Sequence, residues 1–501
     1  MARTKIAPAL NFIGGKWLPA RGKQTFEDRS PSNTRDVIGR FPRSGSDDVA
    51  AAVDAARKAF DAWRLVPAPD RGKLLLRCAE VLIERKEELA RLMAREMGKL
   101  LTEARGDVQE AIDCAHLYAG EGRRMSGQTV PSELPNKFAM SVRRPVGVCG
   151  MITPWNFPVA IPSWKIFPAL VCGNTVVLKP AEDTPACGAA FVKAIEDAGV
   201  PAGVVNLVQG LGEEAGAALV AHPDVSLISF TGSSETGSHI ASACGKSLKR
   251  CALEMGGKNA QLVMDDANLD LALEGALWGS FATAGQRCTA TSRLLLQRKI
   301  AKQFVTRLVV LAGKLRLGDA LDPKSHIGPM VNEAQRERVS RYIKIGIDEG
   351  AKLLCGGKPA KGKGLERGFF FEPTVFVNVK PEMRIAQEEI FGPVVAVMEF
   401  STFEEAVGIL NGTKYGLSSS IYTRDVEKAF RAIRDFDAGI TYINGPTIGA
   451  EVHLPFGGVK STGNGHREAG EAVLDIFSEW KSVYVDYSGK LQRAQIDNAD
   501  A

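Results

Sequence analysis

The pattern of apolar and polar positions divides the chain into stretches of different period. From residue 46 to 119 apolar residues recur at helical spacing. Ser46-Asp47-Asp48 caps a helix through Phe60, and residues 70–97 carry an apolar stripe beside charged neighbours. Residues 142–152 alternate with the period of a strand. After Pro154, short apolar runs at 175–178, 204–208, 227–230 and 260–263 are strands, with helical stretches at 184–198 and 213–221 between the first three. Strands joined by crossover helices predict a parallel sheet. A second series begins at Leu294, with strands near 375–377, 394–400, 419–422 and 439–443. The fold class expected is α/β, in two domains. The tail at 480–487 is a late strand, available to pair with another subunit's edge.

Length agrees with this division, since 501 residues exceed one simple core. Hydrophobic content of 45% and charged content of 24% are those of a globular enzyme. The net charge of +5 is spread thinly, which excludes the clustered basic footprint of a nucleic-acid binder. Arg143-Arg144 and the early Arg3 and Lys5 are expected on solvated faces. Nine scattered cysteines without C-x-x-C spacing indicate reduced thiols. With no apolar signal core and no bilayer-length apolar run, a cytoplasmic location without membrane partners is expected. Six histidines lack H-x-x-x-H spacing, so no metal is expected.

Seven segments carry candidate chemistry. Gly285-Gln286-Arg287-Cys288-Thr289-Ala290 sets a cysteine between small residues and a fixed cation, which would lower the thiol's pKa; a small buried hydrophobe is the alternative. Phe230-Thr231-Gly232-Ser233-Ser234-Glu235-Thr236-Gly237 ends a strand and opens a helix, whose free N–H groups suit a phosphate. Gly210-Leu211-Gly212-Glu213-Glu214 competes for that role, but its acidic pair would repel a pyrophosphate, so it is mainly a structural turn, with Gly212 kept as a cofactor candidate. Lys179-Pro180-Ala181-Glu182 follows a strand and can reach ribose hydroxyls; the alternative is a solvated turn. Leu253-Glu254-Met255-Gly256-Gly257 surrounds a carboxylate with apolar residues, raising its pKa toward that of a general base. Thr153-Pro154-Trp155-Asn156-Phe157-Pro158 fixes an amide donor in a rigid loop suited to an oxyanion, or packs as an aromatic turn. In Gln387-Glu388-Glu389-Ile390-Phe391-Gly392-Pro393, Glu389 could hold a ribose while Phe391 packs a flat ring.

In this order and spacing the segments resemble the aldehyde dehydrogenase superfamily, from Phe12-Ile13-Gly14-Gly15-Lys16-Trp17 to the tail. The resemblance implies a Rossmann-like cofactor domain (1–125 and 146–256), a related α/β catalytic domain (257–460), and an oligomerisation element with C-terminal tail (126–145 and 461–501). It implies Cys288 as nucleophile, Asn156 and the Cys288 N–H around the oxyanion, and Glu254 as the base that activates water. Lys165 and Glu479 would relay its proton. Thr153, Pro154, Trp155, Lys179, Glu182, Gly212, Phe230, Gly232, Ser233, Gly237, Glu389 and Phe391 would meet the cofactor, NAD with NADP possible. Glu182 leans toward NAD. Family members that transfer the acyl group to coenzyme A generally lack the glutamate present here at 254, so hydrolysis to a free acid is expected. A homodimer or homotetramer is implied, paired through residues 130–144 and the tail strand. Pro455-Phe456-Gly457-Gly458-Val459-Lys460 is similar to the family's loop at the substrate mouth.

For the substrate, Trp164 stands where several succinic-semialdehyde enzymes carry Arg. The loop Pro446-Thr447-Ile448-Gly449-Ala450-Glu451 resembles the aminoadipic-semialdehyde group. Together with Asn464-Gly465-His466-Arg467-Glu468-Ala469-Gly470, it also resembles bacterial 2-oxoglutarate-semialdehyde dehydrogenases. A carboxylate-bearing semialdehyde held near Gly449 and Ala450 is the expectation. The alternative is a broad aliphatic or aromatic aldehyde oxidiser with Trp155, Phe157, Trp164 and Phe281 as an apolar tunnel and Thr289 beside it. A non-catalytic or thiol-redox protein on the same fold is the remote alternative.

Overall fold

The computed structural model of the chain describes residues 9–362 and 364–496, so Arg3, Lys5 and the end of the 461–501 tail lie outside the described residues. Five parallel strands build the first sheet: β1 (Val148–Ile152), β2 (Thr175–Lys179), β3 (Val205–Leu207), β4 (Leu227–Thr231) and β5 (Arg250–Glu254). They lie side by side as β5-β4-β1-β2-β3, extended beyond β3 by the hairpin Asn11–Ile13 and Lys16–Leu18. Every residue of β1, β2 and β3 is buried, which is why these strands are continuous apolar runs in sequence. The chain lays down β1, β2 and β3 in one direction, then returns to place β4 on the other side of β1. That reversal opens a crevice between the carboxyl ends of β1 and β4, the usual ligand position in such sheets.

The second sheet holds β6 (Ala260–Val263), β7 (Arg293–Gln297), β8 (Val394–Phe400), β9 (Ser418–Tyr422) and β10 (Ile440–Ile443), parallel in the order β8-β7-β6-β9-β10. Thr374–Val377 adds parallel to β8, and Lys352–Cys355 closes that edge antiparallel. Five helices matter for the site: α1 (Leu101–Glu121), α2 (Ala160–Val171), α3 (Ser234–Lys246), α4 (Leu269–Phe281) and α5 (Glu333–Asp348). From Ala160 to Val171 only Ile161 of α2 escapes full burial, so even its Lys165 lies in the core.

Three expectations change in detail. The stripe at 70–97 is two helices, Ala68–Glu84 and Lys86–Glu96, because Arg85 leaves helical geometry while the apolar spacing continues. The alternating run at 142–152 belongs to two different sheets: Lys137–Pro145 ends at its proline, and β1 starts after Gly147. Lys137–Pro145 pairs with Gln128–Pro131 and with the tail strand Ser478–Asp486, so the tail's partner within this chain is its own. The helix expected at 213–221 opens with a wide π-type turn, Gly212–Gly216, before Ala217–Ala221.

Candidate active site

A cavity of about 190 Å³ lies at the crevice between β1 and β4. The chain beyond β1 contributes Pro154, Trp155 and Asn156, and the end of β4 contributes Thr231, Gly232 and Ser233. From the second sheet come the segments that lead into β7 and β8, bringing Cys288, Glu389 and Phe391. Residues far apart in sequence therefore meet because carboxyl ends of one sheet face amino ends of the other.

Cys288 stands at the cavity wall, half-buried. Burial pushes its thiol up to about 12, and the nearby Glu389 and Glu254 add to the rise. The backbone N–H groups of Thr289 and Cys288 act in the opposite sense. The expected activation by Arg287 is corrected here. Its guanidinium turns away, donating to Thr283 Oγ1 at 2.9 Å and pairing with Glu103 at 3.3 Å, with the rings of Phe157 and Trp278 beside it. The Cys288 carbonyl accepts from Asn259 Nδ2 at 2.7 Å, which anchors the backbone. Asn156 donates one amide N–H to the Gln286 carbonyl at 3.0 Å, and the amide has a second N–H. A buried amide so held is preorganised for an oxyanion.

Glu254 ends β5, and both of its carboxylate oxygens are buried without a hydrogen bond among the described residues. Burial raises its pKa well above 4.5, and the Glu468 carboxylate raises it further, against Lys165 and Arg467. Lys165 on α2 pairs with Glu468 and donates to Ser229 Oγ on β4 at 3.0 Å. Glu254, Glu468 and Lys165 are thus a buried group of titratable side chains linked electrostatically, with Lys165 and Glu468 in direct contact. Glu479, expected to share the proton relay with Lys165, is elsewhere. It lies in the tail strand opposite Arg144, to which it pairs at 3.2 Å, with a second cation, Arg250, at 3.8 Å. The carboxylate next to Lys165 is that of Glu468.

The remaining cofactor candidates form two groups. Around the crevice, Ser233 caps α3 by accepting from the Thr236 N–H at 3.1 Å, and the buried Phe230 ring lies beneath Gly232. Gly237 is packed against Met255, with no room for a side chain. Glu389 accepts the Gly257 N–H at 3.0 Å, and Phe391 meets Trp155 edge-on at 5.4 Å. Thr153 is buried and donates its N–H to the Lys179 carbonyl at 3.2 Å. At the end of β2, Lys179 pairs with Glu182 at 2.7 Å. Burial opposes ionisation of Glu182, yet Lys179 and the Glu182 and Gly212 N–H groups outweigh it and hold its pKa below the ordinary value. Gly212 thus belongs with Glu182 rather than with the crevice.

Among the substrate candidates, Phe157 lies half-buried between Lys99, 3.6 Å above its ring, and Arg287. Phe281 is corrected: it is 1% exposed at the end of α4, inside the core of the second sheet. Trp164 is also a core residue, edge-on to Phe456 at 5.0 Å. Thr289 is buried, and its carbonyl accepts from Thr447 Oγ1 at 2.6 Å. Gly449 is exposed with open space around it, and Ala450 packs partly against the first core.

Sequence reading missed four residues besides Glu468. Ile161, Gln335 and Arg338 line the cavity; Gln335 donates to the Phe391 carbonyl at 2.8 Å and Arg338 to the Glu389 carbonyl at 2.7 Å. Tyr442 is the fourth: burial pushes it up to about 12, with Glu451 and Cys288 near enough to contribute. Only Glu468 left a usable signal, a carboxylate among small residues at 465–470.

Residues 17–483 match the aldehyde dehydrogenase family. The chain belongs to that family and is an aldehyde oxidoreductase. It is 42% identical to the alpha-ketoglutaric semialdehyde dehydrogenase of Bacillus subtilis, over 95% of this chain and 98% of that one. It is also 42% identical to the mitochondrial aldehyde dehydrogenase of Sus scrofa, over 97% of this chain and 94% of that one. The crystal structure of betaine aldehyde dehydrogenase from Staphylococcus aureus in complex with NAD+ is similar at a TM-score of 0.95 and 36% identity, covering 97% of both chains.

Proposed function

We propose that this chain oxidises a carboxylate-bearing semialdehyde, such as 2-oxoglutarate semialdehyde, to the free acid with NAD, through a thioester on Cys288. The similarity to the Bacillus subtilis alpha-ketoglutaric semialdehyde enzyme over nearly the whole of both chains carries the substrate reading. The equal identity to a mitochondrial aldehyde dehydrogenase favours a second reading, a broad aldehyde oxidiser.

The crevice fits a dinucleotide. Gly232, Ser233 and the start of α3 suit the pyrophosphate, Lys179 and Glu182 the adenosine ribose, and Glu389, Phe391 and Trp155 the nicotinamide end. The ionised Glu182 favours a free 2′-hydroxyl, hence NAD. Cys288 Sγ adds to the aldehyde carbon as its proton passes to water. The oxygen's developing charge meets the free Asn156 N–H and the Cys288 N–H. Bound NAD supplies the acceptor for the hydride that this adduct loses in becoming a thioester. Glu254 then takes a proton from water as it attacks the thioester, and Lys165 with Glu468 carries that proton on. The acid leaves and the thiol is restored.

The three-stranded sheet supports self-association. Val130, Phe138, Val142, Trp480, Tyr484 and Val485 are large apolar residues exposed on it. They lie on both faces, Phe138, Val142 and Val485 on one and Val130, Trp480 and Tyr484 on the other. A homodimer or homotetramer covers part of this surface, and light scattering on the purified protein tests it.

The substrate test compares kcat/KM for 2-oxoglutarate semialdehyde with neutral aldehydes of equal length. A preference of about tenfold, worth about 1.4 kcal/mol, supports the semialdehyde. Equal values discard it in favour of the broad oxidiser and leave the chemistry intact.

A further inference from the structure

The segment that carries Cys288 is bent against the preferences of its own residues. Thr283, Ala284 and Gly285 follow one another with φ of 52°, 54° and 69°. Left-handed backbone is uncommon outside glycine and a true outlier for β-branched threonine, so surrounding structure must enforce it. The enforcing group comes from α1, on the other side of the molecule's two-sheet division. Glu103 is buried there, its side chain 2% exposed. Its Oε1 accepts the Thr283 N–H at 2.8 Å and the Thr283 hydroxyl at 3.1 Å, and pairs with Arg287 at 3.3 Å. Arg287 in turn donates to Thr283 Oγ1 at 2.9 Å. One carboxylate oxygen thus closes a ring from the first residue of the bend to the residue before Cys288.

Gln286, inside that ring, transmits the constraint. Its side chain donates to the Thr283 and Pro329 carbonyls, each at 3.2 Å, and accepts the Val331 N–H at 2.9 Å. Its own carbonyl holds the Asn156 amide at 3.0 Å. The bend therefore sets both the Cys288 position and the orientation of the amide that faces it. We propose that Glu103 is a positioning residue for aldehyde oxidation, which holds the left-handed bend and so aligns Cys288 and Asn156 around the reacting carbon. This rests on Cys288 being the nucleophile.

The test follows from the ring. Oε1 makes all of the ring's carboxylate contacts, while Oε2 is buried without a hydrogen bond among the described residues. Glu103→Gln therefore keeps the accepting oxygen and loses only the charge. Glu103→Ala removes the clasp. Full-length wild type, E103A, E103Q and C288A are compared for the rate of NADH formation, KM, NAD affinity and iodoacetamide labelling of Cys288. E103A is expected to lose about 100-fold in kcat, the usual consequence of displacing reacting groups by about 1 Å, with NAD affinity changed less than about twofold. E103Q is expected to recover to within about fivefold of wild type. Glycine adopts left-handed backbone freely, so Thr283→Gly added to E103A should restore part of the loss, including soluble yield if E103A alone folds poorly. Wild-type kcat in E103A, or E103Q as slow as E103A, overturns the proposal. Full activity in C288A would instead overturn the reading of Cys288 itself.

Discussion

Glu254→Gln separates the chemistry of the buried carboxyl from its effect on folding. In wild type both oxygens are buried without a hydrogen bond among the described residues, and burial, then Glu468, raises the pKa well above 4.5. The folded protein therefore holds this proton more tightly than the unfolded chain does. The carboxyl's favourable contribution is complete below about pH 4.5 and is lost as pH rises toward its folded pKa. Over that window the loss is about 1.4 kcal/mol per pH unit for one proton. Glutamine has the same shape and no proton to lose. E254Q should thus be more stable than wild type at neutral pH, with a gap that widens from about pH 5 upward. Thermal unfolding of both proteins in matched buffers measures this. Kinetics should move the other way: an initial burst of NADH persists, while steady-state turnover falls about 100-fold or more because the base is gone. Parallel stability curves across this pH range, or unchanged steady-state turnover, would refute the reasoning.

Other outcomes follow from the same geometry. Lys165→Met leaves the buried Glu468 without its cation and should cost about 3–5 kcal/mol, read as a lowered denaturation midpoint; adding Glu468→Leu should return most of it. Gly285→Ala should abolish turnover, because a Cβ there meets the Gly392 carbonyl and the residue needs φ of 69°; NADH formation by the soluble fraction checks it. Iodoacetamide labelling of Cys288 in the cofactor-free enzyme should be slow at neutral pH and rise about tenfold per pH unit, since the thiol is pushed up to about 12. A plateau near pH 7 would contradict that placement.

Much of the architecture was legible because burial on both faces leaves continuous apolar runs. Ala260–Val263 and Val394–Phe400 fall where the runs placed them. Cys288, Asn156 and Glu254 stood out because a reactive group among glycine, proline or apolar residues is locally unusual. Partners chosen by the tertiary fold were not legible. Glu468 and Glu479 are both acidic residues of the tail, and only the structure shows one beside Lys165 and the other on a strand beside Arg144. The direction of Arg287 was equally hidden, since Glu103 lies 184 residues earlier on a helix with ordinary apolar spacing. Gln335 and Arg338 look like surface residues of an amphipathic helix until α5 is set against the cavity.

The most direct measurement is the mass of the Cys288 peptide from E254Q quenched during its NADH burst with NAD and an aldehyde that the enzyme oxidises. An acyl group of that aldehyde on Cys288, released by alkaline hydroxylamine, is the predicted result. NADH formation with Cys288 unmodified, or with the acyl group on another residue, would contradict covalent catalysis at this cysteine.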